Sequence, residues 1–359
     1  MNKLWLRLGA GLLACLVVIG AAVWMTNRTN NGKRTDGLFY AASGIHPDAK
    51  LLTVDGKTVE GEEYLYWLAY GCEYLVSNLG EVDWNASLTD DMTYGDYAKT
   101  DALETVKLFS VIHQLADEKG ITLTEEDLAQ LQQQKDSYAA YYGGAENYSR
   151  QIQLMGISEE AYDRINSTYL LLDRLTKEAT QEGGSLYPAQ EDLLSYGEEH
   201  GYVTTRALYL PTIGLDEEAV ESQRVLAESY VQRLRELDSD GAYELLGQLA
   251  DELGMDVTDQ DYTLSPETSN ETLVQAIAAL DEGAVSDVIT TDNGLYVAMR
   301  RPLNISALAQ NYFTDHLMER RQACQVTFSK LYGQLDAGTF YENLLQQRTD
   351  LAQQFAAEE

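Results

Sequence analysis

LDEGAVSDVITTDNGLYVAMRR, residues 280–301, decides how the chain is read. Two β-branched runs, Val285 to Thr290 and Leu295 to Met299, flank Thr291-Asp292-Asn293-Gly294. Asp, Asn and Gly tolerate positive φ, so the spacing predicts a hairpin closed at that tetrapeptide. Just upstream, Leu273, Ile277 and Leu280 form a short apolar helical face that stops at Gly283. Helix, glycine stop, strand, turn, strand is a compact unit.

Working outward, Val203 to Pro211 (VTTRALYLP) alternates like a strand. Glu217 to Leu237 is a long helix carrying Val220, Val225, Tyr230, Val231 and Leu234. Tyr243 to Leu253 is another, and Leu264-Ser265-Pro266 is a turn. Upstream lies a series of helices. Thr100 to Glu118 places Leu103, Val106, Phe109, Ile112 and Ala116 on one face and stops at Gly120. Thr124 caps the next helix, with Glu125, Glu126 and Asp127 in its first turn. Glu146 to Met155 is short and stops at Gly156, and Ser158 caps a helix bearing Tyr162, Ile165, Tyr169, Leu172 and Leu175. Leu51 to Val59 is a hairpin around Asp55-Gly56, and Gly80 to Tyr97 is a loop. Gly183-Gly184-Ser185 is a linker, with a helix from Tyr187 to His200 as a spacer. After Pro302 come a helix from Ala307 to Cys324, a strand within Gln325 to Tyr332, and a last helix from Phe340 to Phe355.

Leu8 to Met25 is an almost unbroken apolar run after Lys3 and Arg7, with Trp5 and Trp24 near its ends. A membrane-crossing helix needs ~20 residues, so this reads as an uncleaved signal anchor with the rest of the chain outside the cytoplasm. A cleaved signal or a lipoprotein signal at Leu12-Leu13-Ala14-Cys15 is the competing reading. Thr26 to Gly37 is a polar tether.

The length of 359 residues allows one to three domains, and 45% hydrophobic residues supply a core. A net charge of −33 excludes nucleic acid as the expected partner, because phosphate binding needs clustered Lys and Arg. The 24 tyrosines against 6 phenylalanines suit wet, adaptable binding surfaces, or reflect a compositional habit. With no CxxC or Cys/His cluster, no metal and no cofactor are expected. Cys72 and Cys324 either pair or remain buried thiols. No GxSxG elbow, Walker motif or dinucleotide fingerprint occurs. Glu62-Glu63 and Glu159-Glu160 read as first-turn helix charges, and the Asn-x-Ser/Thr triplets at Asn85, Asn147, Asn166, Asn270 and Asn304 as chance.

The pattern A..L..G.VS..I.T..GLYV resembles the C-terminal half of a parvulin-type peptidyl-prolyl isomerase domain. TVDGKTVEGEEYLYWL, GITLTEEDL, YYGGAENYSRQIQLMGISEEAYDR and LLLDRL resemble, in order, the N-terminal helical domain of SurA- and PrsA-type chaperones. This second resemblance covers roughly residues 50–180. It implies an α+β protein: a mostly helical chaperone domain made of the N- and C-terminal segments together, with an inserted parvulin-like α/β domain and one N-terminal transmembrane helix. The implied divisions are 1–36 for anchor and tether, 37–197 for the helical domain, 198–302 for the parvulin-like domain, and 303–359 for a segment returning to the helical domain. Unfolded or proline-containing secreted polypeptides are the implied partners, and a homodimer stays open.

Prolyl isomerisation needs no metal or nucleophile. It has to lower a barrier of ~18–20 kcal/mol set by amide resonance. Active parvulins use two histidines, a nearby Cys or Asp, and an apolar proline pocket. Carried over, the first histidine falls at Leu208, the second at Tyr296 and the pocket phenylalanine at Leu273. Asp256, Asp259 or Asp261 stands for the acidic group. Leu208, Leu273, Tyr296 and Met299 are therefore the candidate peptide-binding residues, with no catalytic residue assigned. His46, His113, His200 and His316 all read as framework or surface residues. Three functions follow: an anchored chaperone, an active isomerase with a rearranged site, or an adaptor for one folded envelope partner.

Overall fold

A computed structural model of the protein describes residues 37–47, 49–254 and 261–358. The anchor, the tether to Asp36, Asp256 and Asp259 lie outside them. Among the described residues no helix is long and apolar enough to cross a membrane. The chain is a mostly helical α+β protein in two compact units: residues through Thr176 with Asp315–Glu359, and Lys177–Thr314.

The first unit begins with α1 (Leu38–Ser43) and the hairpin β1 (Leu52–Val54) and β2 (Lys57–Thr58). Asp55 at φ 50 and Gly56 at φ 78 both adopt the left-handed conformation, the geometry a two-residue hairpin turn requires. Helix α2 (Gly61–Leu79) follows, then β3 (Ser87–Thr89), β4 (Met92–Thr93) and α3 (Tyr94–Lys119). The expected loop over 80–97 thus holds a small hairpin, and α3 starts earlier than its apolar period suggests. Thr93 is the reason. Its Oγ1 accepts from the Asp96 amide at 3.1 Å while the Asp96 carboxylate accepts from the Thr93 amide, a reciprocal capping box. Thr124 and Asp127 cap α4 (Glu125–Tyr141) the same way, ahead of α5 (Ala145–Met155) and α6 (Glu159–Thr180).

The second unit holds α7 (Gln190–Glu199), β5 (Val203–Pro211), α8 (Glu217–Arg235), α9 (Ser239–Glu252), β6 (Tyr262–Leu264), α10 (Glu271–Ala278), β7 (Ile289–Thr290) and β8 (Gly294–Arg301). Its sheet is antiparallel in the order β6-β5-β8-β7. Helix α7 is no spacer. Leu193 and Tyr196 are buried with Leu308 and Ala309, against Tyr202, Leu303 and Tyr312. The two compact units divide at 176/177 and 314/315.

After α11 (Ala309–Ala323), the chain returns to the first unit. β9 (Val326–Phe328) pairs antiparallel with β1, Thr327 opposite Thr53. The strand expected to reach Tyr332 stops at Phe328, because Ser329 caps the short α12 (Lys330–Gln334), its Oγ accepting from the Tyr332 amide. Helix α13 (Ala337–Phe355) then packs on α1, α2, α3 and α5, burying Phe340, Leu344 and Leu351. Arg348 ties it down, donating from Nη1 to Glu73 at 2.5 Å and from Nη2 to the Met155 carbonyl at 2.6 Å. Cys72 and Cys324 are both free thiols. Cys72 is buried with its Sγ 3.9 Å from the Ala337 carbonyl, and burial raises its pKa far above the usual range.

Candidate functional site

Successive side chains of a strand point to opposite faces of its sheet. On β5 this sends Leu208 and Leu210 into a core under α8 and α9, with Tyr230, Leu234, Leu246, Leu249, Val297 and Met299. Val203 and Ala207 go the other way, into a smaller core under α10 with Leu273, Val274, Ile277, Ile289 and Ala298. Helix α10 is set over that face by Asn270, whose Oδ1 accepts from the Leu273 amide at 3.0 Å.

The register places Ala207 opposite Ala298 and Tyr209 opposite Tyr296. Two alanines leave a low floor beneath α10. Next to it, toward the turn, the Tyr209 and Tyr296 rings lie 4.8 Å apart at 34°. Both tyrosines are half-buried, and Tyr262 from β6 flanks the same cluster. The Tyr209 hydroxyl donates to the Asn293 carbonyl at 2.8 Å. Burial, and then the neighbouring Tyr296, pushes the Tyr262 phenol up to about 12. Burial also raises Tyr296, with a smaller upward push from Tyr209 and a downward one from its hydrogen bond with Asn293. Neutral phenols of this kind donate and accept hydrogen bonds. They do not take up protons as bases at neutral pH.

The structure therefore divides the four candidate residues. Leu273 and Tyr296 share the α10 face, whereas Leu208 and Met299 are wholly buried on the opposite one. The α10-face residue that precedes Leu208-Tyr209 is Ala207. That residue was missed because both alternating sets of β5, Val-Thr-Ala-Tyr and Thr-Arg-Leu-Leu, mix polar and apolar side chains. The order of residues before Leu-Tyr was the available signal. Asp261 is not on the α10 face either; its Oδ2 accepts from Arg301 Nε at 3.0 Å. None of the four histidines joins the cluster. His113 bonds Thr168 at 2.9 Å in the first unit, its pKa lowered by burial, and His200 lies 4.3 Å from the Tyr196 ring. Among the described residues no group of three His, Cys, Asp or Glu could hold a metal ion.

The opening hairpin also differs from its expected form. Only Ile289 and Thr290 of the first run are strand; Val285 makes a single bridge to Met299. Ser286 interrupts the ladder, its amide donating to the Ala298 carbonyl at 2.8 Å and its Oγ accepting from the Ala298 amide at 3.0 Å. None of residues 291–294 has positive φ. The Thr291 hydroxyl closes the turn instead, through Asn293 Oδ1 at 2.6 Å and the Gly294 carbonyl at 2.9 Å. Gly294 is needed for close approach. A Cβ there would stand 2.5 Å from both the Leu210 carbonyl oxygen and the Tyr209 ring.

No protein-family model matches the chain, and no curated protein does. Solved structures that it is similar to include foldases and a SurA-like chaperone. The foldase PrsA of Lactococcus lactis is 12% identical at a TM-score of 0.28, with 84% of this chain and 94% of that one covered. PrsA of Streptococcus pneumoniae is 16% identical at a TM-score of 0.26, with 86% and 100% covered. A Campylobacter jejuni structure from work on two SurA-like chaperones is 10% identical at 0.25, with 79% and 99% covered. At these TM-scores the likeness carries no argument of its own: the chain is similar to SurA- and PrsA-type foldases, and its function is read from its own residues.

Proposed function

We propose that this protein is an extracytoplasmic chaperone of the SurA/PrsA type that holds unfolded secreted polypeptides. Residues 8–25 anchor it in the membrane, and the parvulin-like unit binds peptide without isomerising proline. The observation that supports holding is α4, a 17-residue helix with no buried residue. Leu128 on it is 52% exposed and Tyr141 78% exposed. Those two side chains are open to another chain, while Leu131 and Tyr138 of the same helix are half-buried. The reading without isomerisation is supported by the α10-face cluster, which no histidine joins and in which Tyr296 stands at the position the resemblance gives to the second histidine.

Residues 37–359 should suppress aggregation of several chemically denatured secreted proteins; no suppression of any of them would sink the chaperone reading. In a proline-peptide assay the same chain should leave isomerisation at the uncatalysed rate, and acceleration would restore the active reading with a rearranged site. A pull-down that captures one folded envelope protein in stoichiometric amount, and no unfolded client, would favour the adaptor.

A further inference from the structure

Opposite the α10 face, the sheet holds a charge that has no ion-pair partner among the described residues. Arg206 on β5 is 7% exposed, and its Nε is buried with no acceptor. Its guanidinium lies 4.2 Å from the centroid of the Tyr243 ring on α9. Arg301 on β8 lies 4.4 Å from the same centroid. In the register Arg301 is opposite Thr204 and Met299 opposite Arg206, so the two arginines are diagonal neighbours on one face. Among the described residues the one carboxylate paired here is bonded to Arg301 and not to Arg206. Asp261 accepts from Arg301 through Oδ2, while its Oδ1 is buried without a donor. On α9, Gly247 leaves the room that Arg206 occupies: a Cβ there would stand 2.7 Å from Arg206 Nη2.

A buried guanidinium is ordinarily paired, and an aromatic face offsets only part of its lost hydration. Among the described residues, two guanidiniums with one carboxylate leave one positive charge over, in a protein of net charge −33. The planar fork of Arg bonds a carboxylate or a phosphate group through two parallel N–H donors. We propose that Arg206, Arg301 and Tyr243 form a binding site for an oxyanion group, either the carboxylate of a peptide or a phosphoryl group. The site is on the face of the sheet away from the tyrosine cluster and does not depend on the chaperone reading.

The test uses the full chain in a non-ionic detergent, with ionic strength held constant by chloride. Thermal unfolding is followed while inorganic phosphate or acetate replaces chloride, and the Arg206 Nε–H resonance is followed by NMR. One of the two anions should raise the midpoint saturably, by about 3 °C at tenfold excess over its Kd, and should shift that resonance. A response to acetate alone assigns a peptide carboxylate; a response to phosphate alone assigns a phosphoryl group. Arg206→Gln and Gly247→Ser should each abolish the response. If Arg206→Gln does not fold, Gly247→Ser and the resonance of the unaltered chain decide. Absence of any anion-specific shift, or an equal shift in the variants, would overturn the site. A response that emerges only in Asp256→Asn or Asp259→Asn would make the occupant the chain's own carboxylate and overturn the external ligand.

Discussion

Replacing Leu208 by alanine separates the two faces of the sheet by experiment. The Leu208 side chain is wholly buried and packs with Leu234, Leu246, Leu249 and Met299. Alanine removes three carbons. At ~0.8 kcal/mol per buried methylene, the lost transfer energy is about 2 kcal/mol. A residual cavity of ~50 Å³ at ~24 cal/mol per Å³ adds about 1 kcal/mol. The second unit should therefore lose about 3 kcal/mol. Tyr296 is half-buried on the other face, and Tyr296→Ala should cost the fold about 1 kcal/mol. With two units in the chain, a single global transition is the wrong readout. Denaturant-dependent hydrogen exchange of the β5 and β8 amides reads the unit's own stability. Peptide affinity, measured where each variant remains folded, should be unchanged by Leu208→Ala and weakened by Tyr296→Ala. A stability loss below about 1 kcal/mol for Leu208→Ala, or an affinity loss equal to that of Tyr296→Ala, would refute the assignment of faces.

Burial holds the Glu63 carboxyl up at about 7, with Arg164 opposing and Glu60 reinforcing the rise. The folded chain therefore keeps a proton that the unfolded chain releases near 4.5, so stability falls as pH climbs from about 4.5 to 7 and is level above. Glu63→Gln should flatten that slope and add about 2 kcal/mol at pH 8 in denaturant titrations; an unchanged slope counts against a buried acid there. Arg348→Met should destabilise the first unit by about 3 kcal/mol, since it strands the Glu73 carboxylate and the Met155 carbonyl. Adding Glu73→Gln should recover part of the loss, and strict additivity would show the pair to be uncoupled. Gly294→Ala should lower the stability of the second unit by about 2 kcal/mol through its clash with Leu210 and Tyr209. Asn293→Gly should bring no gain, because position 293 has no positive φ to relieve. A gain measured by hydrogen exchange would restore the left-handed turn.

The helices of this protein and most of their stops were legible from local signals alone. Thr124 with its acidic first turn, Gly120, Gly156 and the Asp55-Gly56 turn act within a few residues, and the chain places them where those signals lie. Signals that cross long stretches of sequence were not legible. The Thr93 cap acts locally, but it hid inside a stretch dominated by loop-forming residues. The place of α7 depends on Leu308 and Ala309, more than a hundred residues away. The turn at residues 291–294 has the composition of a left-handed turn, yet the approach of Tyr209 and Leu210 explains Gly294. For the candidate site, sequence alone determined its neighbourhood, a short helix and a hairpin ending in Leu-Tyr-Val, although the helix ends at Ala278 and leaves Leu280 and the expected stop at Gly283 outside it. Only the tertiary structure decided which side chains meet. A strand turns its side chains alternately up and down, and a shift of one residue exchanges Ala207 for Leu208. Helices α8, α9 and α10 cover the two faces of β5 from distant parts of the chain, so packing, and not the strand's own pattern, makes one face a leucine core with two arginines and the other a bed of alanine and tyrosine.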